Sequence, residues 1–183
     1  MLQARTSWLM EDGRHGNLYK VGMMNILIIA EIGVNHNGDI QIAKEMISAA
    51  KACGADIVKF QTFSAERLAG IDTPKVPYQM RTSDPTESHF NMLKKLELST
   101  DAHKEIKEYC DQLKIEFCST PYSYEDALFL SSLDVTRFKV ASADIIDRKL
   151  HEYIAETGKE CLLAVGMATM EEIAATLQLY ERR

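Results

Sequence analysis

The sequence lacks any long hydrophobic run, since no stretch reaches the roughly 18 to 20 consecutive apolar residues of a membrane span. It also lacks an excess of basic residues: 21 Lys and Arg stand against 27 Asp and Glu, and the net charge is −6. These absences give no reason to expect a membrane or nucleic-acid partner. An anionic substrate would therefore need Lys or Arg side chains placed locally around its site.

Cysteine and histidine are few, and neither is spaced for metal binding. The four cysteines lie in separate apolar segments, with none at C-x-x-C spacing. We therefore expect reduced thiols and a cytoplasmic protein. No histidine pair has the spacing of metal ligands, so the residues alone predict no metal site. No G-x-G-x-x-G follows the first apolar run, which argues against a dinucleotide-binding fold.

Residues 1–24 differ from the rest of the chain. They contain scattered charges and three glycines, without a sustained period and without the continuous apolar core of a signal peptide. We expect them to form a disordered extension, with the native start at Met23 or Met24. Residues 25–183 are long enough for one domain with a sizeable core.

From Asn25 onward, short apolar runs alternate with amphipathic segments. The runs are apolar at both odd and even positions, and hence on both faces of a strand, which is typical of buried parallel strands. The predicted strands are Ile26–Ala30, Ile57–Phe60, Ile115–Cys118, Phe138–Ala141 and Leu162–Val165. The predicted helices are Asp39–Cys53, Ala102–Leu113, Ser123–Leu133, Asp147–Thr157 and Thr169–Tyr180.

Five βα units can form either a doubly wound sheet or a (β/α)8 barrel. Polar residues recur at the strand ends, where barrel enzymes build their active sites, and this favours the barrel. One connection, between Gln61 and Ile115, is long and contains three prolines and a predicted helix near Thr86–Leu98. Loops of this length often cover a functional site.

Two lysines lie inside apolar strands. Lys59 and Lys139 would be costly there without a partner, and together they could bind one anion. Alternatively, each pairs with a carboxylate or extends to the edge of a barrel. Glu31, at the end of the first strand, is a candidate general acid or base or else a structural partner for a lysine.

Other polar residues at strand ends allow two interpretations each. Ser119 and Thr120 could bind phosphate near a helix start, or serve only as caps and turn residues. His36, in the turn Asn35–Asp39, could contact a substrate but is more often structural in such a position. The Asn-Gly pair predicts a turn, and Asp39 can cap the next helix.

Taken in order, several motifs resemble the sialic acid synthase family. The motifs are Ile29–Asp39 (IAEIGVNHNGD), Val58–Gln61 (VKFQ), Ser119–Pro121 (STP), Phe138–Asp144 (FKVASAD) and Gly166–Ala168 (GMA). The first is long and very specific. The resemblance extends from about Met24 to the C-terminus.

This resemblance implies a (β/α)8 TIM barrel followed by a small antifreeze-like domain. It implies condensation of phosphoenolpyruvate with N-acetylmannosamine or a related amino sugar, with release of phosphate. Carbon 3 of phosphoenolpyruvate would attack the sugar aldehyde, and a divalent metal, Mn or Mg, would polarise that aldehyde. It also implies a homodimer for the full-length protein.

The resemblance also implies roles for individual residues. Glu31 matches the acid/base carboxylate beside the reacting carbons. The positions that hold phosphoenolpyruvate are matched by Lys59, Thr120, Lys139 and Ser142. The positions that contact the amino sugar are matched by Gln61 and Asp144. One departure is Ala164-Val165 before Gly166-Met167, where the family usually has hydroxyl residues.

The sequence ends at Arg183, after the fifth βα unit. The resemblance places the metal-binding histidines and the antifreeze-like domain later, so we expect an incomplete barrel without metal ligands. We expect either a fragment of a longer gene product or a degenerate, non-catalytic remnant, and we expect this fragment alone to be inactive. An octulosonate- or heptulosonate-type synthase is a further alternative. The choice among neuraminate, legionaminate and pseudaminate synthesis stays open.

Overall fold

The computed structural model describes residues 9–11, 18–20, 26–70 and 87–181. Strands and helices alternate through most of these residues, as the sequence predicts. The strands are β1 (Leu9–Glu11), β2 (Leu18–Lys20), β3 (Ile29–Gly33), β4 (Ile57–Thr62), β5 (Glu116–Pro121), β6 (Arg137–Val140) and β7 (Glu160–Leu163). The helices are α1 (Ile40–Ala52), α2 (Ala65–Leu68), α3 (His89–Leu96), α4 (Thr100–Leu113), α5 (Tyr124–Ser132), α6 (Arg148–Thr157) and α7 (Met170–Glu181), with a 3₁₀ turn at Ser142–Asp144.

Strands β3 to β7 form one parallel sheet whose spatial order follows the chain order. A doubly wound sheet reverses its strand order at a switch point, and these five strands contain no such reversal. The predicted α/β architecture with a five-stranded parallel sheet is therefore confirmed. Of the two topologies that the pattern left open, the sequential order argues against the doubly wound sheet.

One face of this sheet packs against the helices. Outward side chains of the strands, such as Phe60, Phe117 and Phe138, are fully or nearly fully buried in the same cluster as Ile47 of α1 and Ile106 of α4. Because side chains alternate along a strand, the intervening residues point to the opposite face. That opposite face carries the polar residues of the strands.

Near the amino ends of the strands, the polar face contains an ion-pair ladder. Arg137 of β6 donates from Nε to Glu116 of β5 at 2.5 Å and forms an ion pair through Nη1 with Glu160 of β7 at 2.9 Å. Arg137 is buried, so the two carboxylates satisfy a charge that would otherwise be costly. The ladder joins three neighbouring strands.

Local signals place most helix ends correctly. Asp39 caps α1 by accepting from the backbone N–H groups of Gln41 and Ile42, and Ser123 caps α5. Gly158 ends α6 with φ +64°, a left-handed conformation that glycine adopts without strain. The predicted helix near Thr86–Leu98 is present as α3, whereas the short helix α2 has no predicted counterpart.

The predicted limits of the first strand need correction. The prediction began at Ile26 and stopped at Ala30, but β3 begins at Ile29 and continues through Glu31 to Gly33. An apolar run marks where a strand can be buried, whereas a strand that lines a site continues through polar residues. The last strand also begins two residues earlier than predicted, at Glu160.

Within the part of the chain that the structure describes, β3 and β7 form the two outer edges of the sheet. Large apolar side chains lie exposed near both of them: Ile26 is 79% exposed beside β3, and Met167 is 73% exposed after β7. Exposed apolar side chains next to an unpaired strand edge are typical of surfaces that another segment covers.

The amino-terminal part of the chain is described only at two places. Strands β1 and β2 pair antiparallel, and the rest of residues 1–24 lies outside the described residues, as do the prolines between α2 and α3. The prediction of a disordered extension therefore stays a prediction. None of the described helices has the length and apolar character needed to cross a bilayer. All four cysteines are free thiols.

Candidate functional site

A cavity of about 430 Å³ lies on the polar face, at the carboxyl ends of the parallel strands. Six of the seven residues predicted from the sequence line it. They are Glu31, Lys59, Gln61, Thr120, Lys139 and Ser142. The structure thus brings these six side chains together, while their chemical roles stay predictions.

Glu31 lies in this cavity directly before an irregularity in β3. The register between β3 and β4 shifts between Glu31 and Gly33, so that Glu31 pairs with Lys59 and Gly33 with Phe60. Gly33 has φ +58°, and a Cβ atom built there would lie 3.1 Å from the Oε1 atom of Glu31. The left-handed backbone at this bulge favours glycine, and it leaves the Glu31 carboxylate undisturbed beside it.

Glu31 forms an ion pair with Lys59 on the neighbouring strand. The Lys59 side chain is 13% exposed, whereas the Glu31 side chain is 52% exposed. Glu31 is thus both a structural partner for a lysine and open to a ligand in the cavity, which reconciles the two interpretations of this residue.

Lys139 is the second cation of the cavity, and its environment differs. Its Nζ donates to the carbonyl oxygen of Val140 at 2.7 Å, and no ion pair to it is formed within the part of the chain that the structure describes. Burial, and then the charge of Lys59, lower the pKa of Lys139 below its ordinary value. An anion in the cavity would counter the repulsion between the two lysines.

The charged residues of the described lining are two lysines and one glutamate. They leave the cavity with one net positive charge in a chain whose total charge is −6. A locally cationic cavity on an acidic protein is suited to an anionic ligand.

Gln61 and Thr120 provide neutral hydrogen-bonding groups between the lysines. They are directly opposite each other in the register of β4 and β5. Thr120 precedes the first residue of α5, Tyr124, by four positions, and Ser123 is the residue that caps this helix. Ser142, on the 3₁₀ turn after β6, adds a further hydroxyl to the lining.

Asp144, the remaining predicted residue, does not line the cavity. It lies at the end of the 3₁₀ turn, and its buried Oδ2 atom has no hydrogen-bond partner among the described residues. Burial, and then the charge of Asp147, raise the pKa of Asp144 to about 6. The turn thus brings Ser142 into the cavity and leaves Asp144 outside it.

Sequence reasoning missed the apolar side of the mouth of the cavity. Val34 and Tyr122 line the cavity and also pack against a second buried cluster around Phe63 and Leu93. This cluster comes from the segments of the long connection that the structure describes, near α2 and α3. Tyr122 directly follows the Ser-Thr-Pro motif at a strand end, and that position was the available signal.

His36 is fully buried beneath the turn that follows β3. Its Nδ1 accepts from the backbone N–H of Gly38 at 3.0 Å, and its ring stacks on Phe60 at 5.9 Å between centroids. It is not part of the cavity lining. Across the described residues, no three His, Cys, Asp or Glu side chains converge as a metal site would require.

Comparisons with known proteins agree with the motifs. The NeuB family model matches residues 46–183. N,N'-diacetyllegionaminic acid synthase of Campylobacter jejuni is 41% identical over 157 residues, covering 86% of this chain and 47% of that protein. N-acetylneuraminate-9-phosphate synthase of Mus musculus is 35% identical over 152 residues, covering 83% and 42%.

A solved structure gives the same result for the fold. The N-acetylneuraminic acid (sialic acid) synthetase of Leptospira borgpetersenii serovar Hardjo-bovis, in complex with citrate, superposes with a TM-score of 0.73 at 27% identity. The match covers 96% of this chain and 56% of that one. The chain therefore spans about half the length of the curated relatives it matches.

Proposed function

The chain belongs to the NeuB family of sialic acid synthases, and from this we propose that it is the amino-terminal part of an N-acylneuraminate-type synthase. The reaction is the condensation of phosphoenolpyruvate with N-acetylmannosamine or a related N-acyl amino sugar, with release of phosphate. The relatives compared above are named for different sugar acids. The proposal therefore extends to the class of sugar and not to one product.

The observation that carries this proposal is the convergence of Lys59 and Lys139 in one cavity beside Glu31. Phosphoenolpyruvate has two anionic groups, a phosphate and a carboxylate, and two ammonium groups can bind them together. The hydroxyls of Thr120 and Ser142 donate further hydrogen bonds to the same anion. Gln61, opposite Thr120, provides an amide for the sugar.

The reaction is proposed to proceed by bond changes that balance. The C3 carbon of phosphoenolpyruvate attacks the aldehyde carbon of the sugar, and the aldehyde oxygen takes up a proton. Water adds at C2, and the resulting intermediate releases phosphate by cleavage of its C–O bond. Glu31, which is open to the cavity and held by Lys59, is the proposed acid/base group for these proton transfers.

The five parallel strands are proposed to be part of a (β/α)8 barrel formed by residues 25–183 and further strands. The sequential strand order and the exposed apolar residues at both edges of the sheet support this proposal. Barrel closure would pair both edges and cover these side chains.

A divalent metal, Mn or Mg, is proposed only for the whole protein. The described residues of this chain do not fit such an ion, since no group of three suitable ligands converges in them. A homodimer and a cytoplasmic location are likewise proposed for the whole protein, and the free thiols are compatible with that compartment.

Titration of phosphoenolpyruvate into the chain Met1–Arg183 tests the anion site. We expect wild type to bind and Lys59→Ala to bind roughly ten- to a hundredfold more weakly, because a charge-assisted contact is worth about 1.5 to 3 kcal/mol. The substitution also leaves Glu31 without its cation, which further disfavours an anion. Lys104→Ala is the matched control, since Lys104 is a half-exposed lysine that pairs with Asp101 on α4 at 3.0 Å.

Equal affinities of Lys59→Ala and Lys104→Ala would contradict the proposal, and so would an absence of binding by wild type. Either result would favour the alternative of a non-catalytic remnant. The octulosonate- and heptulosonate-type alternative differs in the aldehyde and not in phosphoenolpyruvate. Turnover of a sugar phosphate in place of the N-acyl amino sugar, in the complete protein, would favour that alternative.

A further inference from the structure

A chain of buried hydrogen bonds lies on the opposite side of the sheet from the cavity, behind Gln61 and Thr120. Thr62 Oγ1 lies 2.7 Å from Ser119 Oγ and 3.0 Å from His103 Nε2. His103 Nδ1 lies 3.0 Å from the carbonyl oxygen of Ser99. All three side chains of the chain are buried.

When His103 is neutral, the carbonyl oxygen of Ser99 at one end of this series favours one direction for each of its hydrogen bonds. A carbonyl oxygen can only accept, so the Ser99 carbonyl favours the neutral tautomer of His103 that has its proton on Nδ1 and uses Nε2 as an acceptor. The Thr62 hydroxyl therefore donates to Nε2. It can then accept from Ser119, whose hydroxyl donates to it. The chain runs from Ser119 through Thr62 and His103 to Ser99.

The surroundings of His103 favour this neutral form. The ring contacts Phe129 edge-on at 5.6 Å between centroids. The groups that favour a charged ring are Asp126 on α5 and the carbonyls of Ser99, Gln61 and Leu98. Asp126 is already paired with Arg67 of α2, which reduces its effect on His103. The nearby imidazole of His36 is also buried, and the two rings would repel each other if both were charged. Burial outweighs the favourable groups, and the pKa of His103 is lowered.

The chain joins three elements at the level of the cavity. Thr62 and Ser119 are the sequence neighbours of Gln61 and Thr120, and they point away from the cavity because side chains alternate along a strand. Their mutual hydrogen bond ties the end of β4 to β5, and His103 ties both strands to the start of α4. The separation of Gln61 and Thr120 is thereby constrained from behind.

We propose that Thr62, Ser119 and His103 are positioning residues that set the placement of Gln61 and Thr120 for the ligand of the cavity. They touch neither substrate nor the reacting atoms, and they act through the two strand ends. The inference rests on the proposed function, because it assigns Thr120 to phosphoenolpyruvate. A buried network of this kind constrains a site more tightly than apolar packing alone, since each bond has a required direction.

Paired variants at Thr62 test the inference. Thr62→Val keeps the branched shape and removes the hydroxyl, and Ser119→Ala removes the donor at the start of the chain. In calorimetric titrations of the Met1–Arg183 chain with phosphoenolpyruvate, we expect each to weaken binding by about tenfold, the equivalent of one hydrogen bond. Thr62→Ser, which retains the hydroxyl, is expected to restore the wild-type affinity to within about twofold.

Thr176→Val is the matched control. Thr176 is also buried and donates to the carbonyl oxygen of Ile145 at 2.9 Å, but it lies on α7 and does not line the cavity. We expect it to lose thermal stability while binding phosphoenolpyruvate as wild type does. All titrations are run well below the unfolding temperature of each variant, with the folded state checked by circular dichroism.

Imidazole ¹⁵N NMR of His103 tests the hydrogen bonds themselves, while the comparison of affinity with the Thr176→Val control separates positioning from a merely structural role. We expect the Nδ1–H tautomer in wild type, a shifted Nε2 resonance in Thr62→Val, and no shift in Thr176→Val. An Nε2–H tautomer in wild type, or wild-type affinity in folded Thr62→Val, overturns this inference alone. Wild type that does not bind phosphoenolpyruvate overturns the proposed function and this inference together.

Discussion

Lys139→Met is expected to stabilise the fold and to weaken ligand binding. Burial and the charge of Lys59 lower the folded-state pKa of Lys139 relative to that of an exposed lysine. A lowered pKa means that the ammonium form is less stable in the folded protein than in water, so its charge opposes folding wherever the side chain is protonated. Methionine fills a similar volume without that charge.

The substitution is expected to raise thermal stability and to lower the affinity for phosphoenolpyruvate. Each ~1 kcal/mol recovered in the free energy of unfolding raises the melting temperature by about 2 to 4 °C in a chain of this size. Loss of a charge-assisted contact to phosphoenolpyruvate weakens binding by roughly ten- to a hundredfold. In wild type, the affinity should also fall as the pH rises through the lowered pKa of Lys139, because only the ammonium form binds the anion.

Differential scanning fluorimetry and calorimetric titration measure the two effects. Lys159→Met is the matched control, because Lys159 also donates to a backbone carbonyl, that of Val135 at 2.6 Å, but has a carboxylate partner in Asp134 at 2.9 Å. It should not raise the melting temperature and should leave the affinity unchanged. A Lys139→Met variant that melts at a lower temperature and binds phosphoenolpyruvate normally would refute the reasoning, since the lysine would then be a structural residue.

Three further predictions concern the bulge, acid stability and activity. Gly33→Ala should lower both the urea midpoint and the affinity for phosphoenolpyruvate, because the new Cβ atom approaches Glu31. Gly54→Ala, at φ +87° in open space, should lower only the midpoint. Equal phosphoenolpyruvate affinities of the two variants would contradict the role of the bulge. The buried imidazoles with lowered pKa values are those of His36, His103 and His151. Because burial favours their neutral forms, their contribution to stability is present above about pH 6.5 and is lost as the pH falls through the lowered values. Urea midpoints between pH 8 and pH 5 measure this loss in an Asp144→Asn background, because Asp144, whose pKa is raised to about 6, acts in the opposite direction. A constant midpoint in that background would exclude the loss. Finally, phosphate release from phosphoenolpyruvate with N-acetylmannosamine and Mn by the Met1–Arg183 chain should be no faster than that by Glu31→Ala, and sugar-dependent turnover above this control would show that the chain suffices for catalysis.

The family and the alternation of strands and helices could be predicted from the sequence, because both depend on local patterns. The motif around Glu31 and the two lysines within apolar strands predicted the cavity, since the carboxyl ends of parallel strands meet at one edge. The helix starts at Asp39 and Ser123 followed from capping residues. The resemblance to sialic acid synthases is confirmed by the family match.

Features that depend on distant contacts could not be predicted in this way. The hydrogen bonds of Thr62 join residues 41 and 57 positions apart, so no local spacing reports them. Asp144 follows Ser142 by two positions, and only the path of the 3₁₀ turn decides which side chain enters the cavity. The first strand was predicted to end before Glu31 because a polar residue does not extend an apolar run.

The ion-pair ladder of Arg137 also protects the sheet against wrong strand pairing. If β6 slipped by one residue, Arg137 would turn into the apolar layer against the helices and Phe138 would turn into the polar face. Such a slip would leave Glu116 and Glu160 without their shared cation. Parallel strands lack tight turns that could fix their pairing, so their alignment depends on side-chain contacts. A misaligned sheet would bury Arg137 without its carboxylates, which carries a large electrostatic penalty. The ladder thus favours the native register of β5, β6 and β7, at the end of the sheet away from the cavity.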